Sequence, residues 1–170
     1  MTIRGKLAPR GASREHRIPT LVCDPGQFDF ASRFIDMFSS EDRQRVLDAD
    51  PGIARQLDGF ITDDRNREFY GSRIVAMGVP PFGGWLRTLI DYMLEGRADQ
   101  IACPTLAIEG EGDFASQSHE LFDALLCEKR FHSFTPYEGA GGHCEGMGQQ
   151  EWQEQVFSWL SEALPFQLAH

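Results

Sequence analysis

Asp113 and His143 are the residues whose types and settings could do acid–base chemistry. Asp113 closes the run Ile108-Glu109-Gly110-Glu111-Gly112-Asp113. His143 ends Glu138-Gly139-Ala140-Gly141-Gly142-His143, with Gly146 just beyond. A histidine that takes a proton from a hydroxyl needs its other ring nitrogen held by a carboxylate. The carboxylate fixes the tautomer and stabilises the imidazolium that forms. Glycines tolerate positive φ and bring no Cβ, so they let the backbone swing an imidazole over a sheet edge. Asp24 is the rival acid, but Asp24-Pro25-Gly26 reads as a turn. Glu109 and Glu111 read as solvated or turn residues. Cys144 follows His143 directly. A Cys–His nucleophile pair would be chemically competent, but adjacent side chains usually point apart, so packing is the expectation.

Other constellations are weaker. His16, His119, His132 and His170 show no ligand spacing, so no metal is expected. The glycines at 139–142 lack the G-x-x-x-x-G-K-[ST] pattern of a phosphate cradle. No cofactor is implied. Cys23, Cys103, Cys127 and Cys144 form no C-x-x-C pair. At least three of them are expected as small buried hydrophobes.

The elements that must position the pair can be read from apolar patterning. Ile18–Cys23 is a short, nearly continuous apolar run, as in a strand buried on both faces. Residues 31–95 read as helical. Phe34, Ile35 and Phe38 form one stripe; Ser39 or Ser40 caps a helix through Leu47; Asp50-Pro51 opens another. Val79–Gly84 breaks the region before an amphipathic stripe of Trp85, Leu86, Leu89, Ile90, Met93 and Leu94. A second strand spans Thr105–Ile108. A helix over 118–126 follows, with Leu121, Phe122, Leu125 and Leu126 on one face. A third strand covers 130–135, and a last helix over 150–164 buries Trp152, Val156, Phe157, Leu160 and Leu164. Strands alternating with helices predict an α/β fold of about three parallel strands joined by crossovers. Asp113 and His143 then sit at carboxyl ends of neighbouring strands, where active groups of open parallel sheets gather.

These segments resemble the α/β-hydrolase superfamily. Asp99–Asp113 resembles its strand and acid turn, Gly139–Glu145 its histidine loop, and Val156–Leu160 its closing helix. The order acid then histidine is that family's order. Gly5–Arg10, Glu15–Ile18 and Asp24–Gln27 resemble the helix after the nucleophile and the strand beyond it. The subset most similar includes 2,6-dihydropseudooxynicotine hydrolase and the fungal polyketide-shortening hydrolases, which cleave a C–C bond next to a carbonyl; relatives act as esterases. The resemblance implies that Asp113 and His143 are the catalytic acid and base of a serine-type triad. It implies a small carbonyl substrate, an ester or β-diketone-like, and a helical cap over 31–95 shaping a mostly apolar pocket. Its G-x-S-x-G elbow falls where the chain begins: the serine position matches Thr2 and the following glycine matches Arg4. The chain is therefore expected to be the C-terminal part of one such domain, 1–170, with 31–95 as a cap-like insertion.

Charge and length set the outer limits. The chain has 170 residues and a net charge of −10, which argues against a nucleic-acid partner. Residues 1–17 carry five basic side chains against Glu15 alone, read as a solvated helix face. No apolar stretch approaches the roughly 20 residues of a membrane helix, and no apolar leader is visible; a cytoplasmic location is the default expectation. The alternative to an enzyme is a non-catalytic truncated product, or a module that pairs its open sheet edge with another chain, including a second copy.

Overall fold

The computed structural model of the chain describes residues 4–36, 38–48, 50–59, 61, 63–78, 82–145 and 148–164. Its residues fall into two compact units. One comprises Met1–Phe28 with Leu94–His170, and the other Asp29–Met93.

The first unit is built on a three-stranded parallel sheet in the order β1-β2-β3. The strands are β1 (Leu21–Cys23), β2 (Thr105–Gly110) and β3 (Lys129–Phe134). Register runs Leu21 to Thr105 and Cys23 to Ala107, then Thr105 to Lys129 and Gly110 to Phe134. β2 lies in the middle, and its continuous apolar run is what burial on both faces requires. On one face Leu106 and Ile108 pack with Phe134, Ala140, Val156 and Trp159. On the other, Leu21 and Cys23 pack with Ala12, Leu94, Ile101, Cys103, Leu121 and Leu125. Three helices complete this unit: α1 (Arg4–Ala12), α7 (Ser118–Ala124) and α8 (Gln149–Ala163).

The local differences from the sequence reading have physical causes. β1 starts at Leu21, not Ile18, because Ile18 N–H turns back to Glu15 O and the ladder begins with Leu21 N–H donating to Pro104 O. α7 ends at Ala124, and Leu125 is extended with ψ 137°. That turns Leu126 out to 79 % exposure. Lys129 Nζ stops the helix by donating to Phe122 O and Leu125 O at 2.7 and 2.8 Å, a cation at a helix C-terminus. In α8, Trp159 is buried and Phe157 is 59 % exposed, so the buried stripe passes through Val156 and Trp159. Leu164 is the C-cap of α8 and lies outside the helix. Lys6, read as solvated, is buried; its four-carbon stem is apolar and tolerates packing. Cys23 and Cys103 are buried, and Cys127 packs partly buried against the same core.

The second unit is helical: α2 (Ser32–Ile35), α3 (Ser40–Leu47), α4 (Pro51–Asp58), α5 (Asp64–Met77) and α6 (Phe82–Asp91). Ser39 Oγ caps α3 by accepting from Asp42 N–H. Asp50 caps α4 by accepting from Gly52 and Ile53 N–H. α5 ends at Met77 and α6 opens at Phe82, so Gly83 and Gly84 lie inside α6 instead of before it, while Val79, Pro80 and Pro81 lie outside the described residues. A Cβ on Gly83 would stand 2.5 Å from Ala54 Cα, so the glycine is there for the α4–α6 crossing. α6 ends at Asp91, and Leu94 belongs to the sheet unit, where its N–H donates to Phe28 O. Phe34, Phe82 and Trp85 form an aromatic cluster with Tyr70.

Candidate active site

Three loops leave the carboxyl edge of the sheet: 24–28 after β1, 111–117 after β2, and 135–145 after β3. Hydrogen bonds from backbone and side chains hold them in register. Gly26 N–H donates to Ser118 Oγ at 2.7 Å, and Ser118 Oγ donates in turn to Ile108 O. Gln117 N–H donates to Gly26 O, and Phe28 N–H to Gln117 Oε1. Ser118 and Gln117 thus tie the first loop to the second. Gly142 N–H donates to Glu111 O at 3.0 Å, and Glu111 N–H to Phe134 O at 2.8 Å. Those two bonds tie the second loop to the third. Gly112 at φ +86° and Gly142 at φ +79° supply the left-handed turns just before Asp113 and His143, conformations that L side chains disfavour.

The two sequence-predicted site residues meet. His143 Nδ1 lies 2.8 Å from Asp113 Oδ2. The Asp113 side chain is 2 % exposed and the His143 side chain 42 % exposed. Asp113 Oδ1 accepts from Ala115 N–H at 2.9 Å, so both carboxylate oxygens are engaged. A buried charge without such partners would be costly. A carboxylate can only accept, so the bond requires a proton on Nδ1. In the neutral ring Nε2 then carries the lone pair. A fixed imidazole with its basic nitrogen directed away from the acid is the arrangement that general-base chemistry needs.

The other candidates are placed differently. Asp24 Oδ2 accepts from Trp152 Nε1–H at 2.6 Å. Glu109 lies within β2, where its carboxylate accepts from Ser133 and Ser116 hydroxyls and pairs with His119 Nε2 at 3.2 Å; it is neither a turn residue nor simply solvated. Thr2 lies outside the described residues.

Cys144 departs from expectation. Its Sγ lies 3.7 Å from His143 Nε2 and 3.9 Å from Asp24 O. Its backbone is left-handed, φ 52° and ψ 40°, which folds the side chain back toward its neighbour instead of away from it. The two glycines before His143 were the available signal that the chain reverses here.

Among the described residues no group of three or more His, Cys, Asp or Glu is arranged to hold a metal ion, and no helix is long and apolar enough to cross a membrane. Within the helical unit a cavity of about 410 Å³ is lined by Val46, Ile53, Ala54 and Leu57, with Asp50 and Arg87 as polar groups.

No protein-family model and no curated protein sequence matches the chain. Among solved structures it is similar to Est816, described as an N-acyl homoserine lactone degrading enzyme. The TM-score is 0.54 and the identity 14%, over 93% of this chain and 64% of that one. A membrane phospholipase A, described as a bacterial virulence factor, aligns with a TM-score of 0.46 and 17% identity, over 94% of this chain and 54% of its own; it is too distant to bear on the fold. The chain spans less than two thirds of the length of either structure. What the first likeness establishes is the fold: α/β, a three-stranded parallel sheet with flanking helices, resembling part of an α/β-hydrolase.

Proposed function

We propose that this chain supplies the acid, Asp113, and the base, His143, of a serine-hydrolase-type α/β-hydrolase that acts on an ester or on a C–C bond next to a carbonyl. The observation that carries the reading is the 2.8 Å bond between a buried Asp113 carboxylate and His143 Nδ1 at the ends of parallel strands. In the reaction, His143 Nε2 takes the proton of a nucleophilic hydroxyl as the oxygen attacks the carbonyl carbon. The imidazolium, stabilised by Asp113, then gives that proton to the leaving group. The nucleophile is a hydroxyl; by the resemblance its position matches Thr2, which lies outside the described residues. Est816 is described as degrading lactones, and a lactone is an ester, so esters are the first substrates to try.

The test is intact mass after incubation with a fluorophosphonate probe, with His143→Ala as control. One covalent adduct that the substitution abolishes is expected. A folded chain that takes no label would remove the hydrolase reading for this polypeptide.

A second reading rests on the sheet edges. β3 carries Lys129, Arg130 and His132, the kind of charge that discourages strand pairing, whereas β1 presents Leu21, Val22 and Cys23. That contrast supports pairing of β1 with a second copy. Light scattering that returned a monomer at high concentration would sink it.

A further inference from the structure

We propose that Cys144 is a nucleophilic thiol served by His143, a site at which small carbon electrophiles such as α-haloamides alkylate this chain. The proposal uses the Asp113–His143 pair of the preceding section but needs no hydroxyl nucleophile, and the two can fail separately.

Three observations converge on the sulfur. Cys144 Sγ is 3.7 Å from His143 Nε2, the ring nitrogen that the Asp113 bond to Nδ1 leaves with the lone pair. Nε2 can therefore accept the thiol proton, and at 3.7 Å it is nearer than the other acceptor facing the sulfur, Asp24 O at 3.9 Å. Next, Cys144 holds a left-handed backbone, the one non-glycine residue at positive φ among the described residues. That conformation is disfavoured for an L residue and persists only where surrounding structure enforces it, most often at functional sites. Here Gln149 Nε2 holds Cys144 O at 3.3 Å. Finally, the His143 side chain is 42 % exposed and Cys144 is half-buried, so a small reagent has access.

The other three cysteines lack this setting. Burial pushes the Cys23 and Cys103 thiols up, away from the reactive thiolate. Cys127 is half-buried like Cys144, but its sulfur lies against Thr105 Oγ1 at 3.7 Å, a hydroxyl that takes no proton at neutral pH. Cys127 is thus an internal control of similar exposure.

The step balances without any further reactant. The thiol proton moves from Sγ to His143 Nε2. A sulfur electron pair forms the S–C bond, the C–I bond of iodoacetamide breaks, and iodide leaves with that bond's electrons. Asp113 stabilises the imidazolium, which returns its proton to solvent.

The experiment is peptide mapping of the native full chain during limiting exposure to iodoacetamide at neutral pH. Cys144 is expected to be carbamidomethylated about fivefold faster than Cys127 or more, because thiolate population outweighs the loss of nucleophilicity that accompanies it. His143→Gln, which keeps a polar side chain but removes the base, is expected to bring the two rates within about twofold. A Cys144 rate equal to or below that of Cys127 in the unsubstituted chain overturns the proposal and depends on no variant folding. So does a Cys144 rate that His143→Gln leaves unchanged. Fluorophosphonate labelling reads a hydroxyl and alkylation reads a sulfur, so each result assigns success or failure to its own proposal.

Discussion

The indole N–H of Trp152 donates to Asp24 Oδ2 at 2.6 Å, joining the first turn of α8 to the loop after β1. Asp24 is an acid at the correct edge of the sheet to compete for the histidine, and this bond gives its carboxylate a different partner. Trp152→Phe keeps the ring but removes the donor, leaving a charged acceptor short of a hydrogen bond. Stability is expected to fall by about 1–3 kcal/mol, read as a lower urea midpoint. Fluorophosphonate labelling, if it depends on Asp113, is expected to persist. A loss of labelling with full stability would mean that Asp24 belongs to the reacting machinery.

Asp113 makes two separable bonds, one to Ala115 N–H and one to His143 Nδ1. Asp113→Asn retains a carbonyl oxygen for the backbone bond but can present an N–H to the imidazole, which reverses the tautomer and moves the ring proton to Nε2. Under the proposed function the labelling rate is expected to fall by roughly 10³–10⁴-fold while the denaturation midpoint moves little. Asp113→Ala breaks both bonds and is expected to lower stability as well. Labelling that survives Asp113→Asn unchanged would exclude the acid role.

What the sequence made legible was local. The apolar run Thr105–Ile108 became the central strand because only a strand buried on both faces carries such a run. Ser39 and Asp50 became caps because their side-chain oxygens reach backbone N–H groups two or three residues on. The loop positions of Asp113 and His143 were readable because strand ends and glycines announce where loops begin. The parts that stayed hidden depend on distant partners. Nothing local to Trp152 points to Asp24. Period alone does not choose between Phe157 and Trp159 for the buried face of α8; contact with the sheet side chains of β2 and β3 does. Gly83 and Gly84 resemble a break until the close approach of Ala54 explains Gly83. The placement of the Cys144 sulfur needed a backbone conformation that adjacency argues against.

Asp50 gives a pH dependence whose sign can be worked out. The Ile53 N–H bond, with Gly52 N–H and the Arg45 guanidinium in support, holds its carboxyl below the usual aspartate range. A carboxyl lowered by folding contributes stability that is present above the ordinary value, near about 4, and is lost as pH falls through the lowered one. Wild type is therefore expected to lose part of its urea resistance between pH 5 and the low acid range, to a modest degree because the side chain is 39 % exposed. Asp50→Asn keeps the cap oxygen and removes the titration, so its acid loss should be smaller. Asp50→Ala should be destabilised already at neutral pH. Equal acid sensitivity of Asp50→Asn and wild type would show that the charge on Asp50 does not contribute to the acid loss.

Gly148 sets the distance between α8 and the histidine loop. A Cβ there would stand 2.2 Å from Ala140 Cβ, 2.5 Å from Ala140 Cα and 2.7 Å from Gly139 O. Its φ of −135° is open to any residue, so the obstacle is space and not conformation. The atoms in the way are largely backbone, and Ala140 is fully buried with its N–H bonded to Thr135 O, so the loop itself must move. Gly148→Ala is expected to cost about 1–3 kcal/mol, as overpacking does. It should also lengthen the His143–Asp113 bond, shifting the His143 imidazole proton resonances in NMR. Gly11→Ala is the matching control: it lies in α1 with nothing within 4 Å of the added carbon. There, helix propensity predicts a gain of up to about 1 kcal/mol. The two substitutions add the same methyl group and are expected to move stability in opposite directions. If Gly148→Ala proved as stable as wild type with unshifted His143 resonances, the packing of α8 against Ala140 would not be what holds the histidine over the acid.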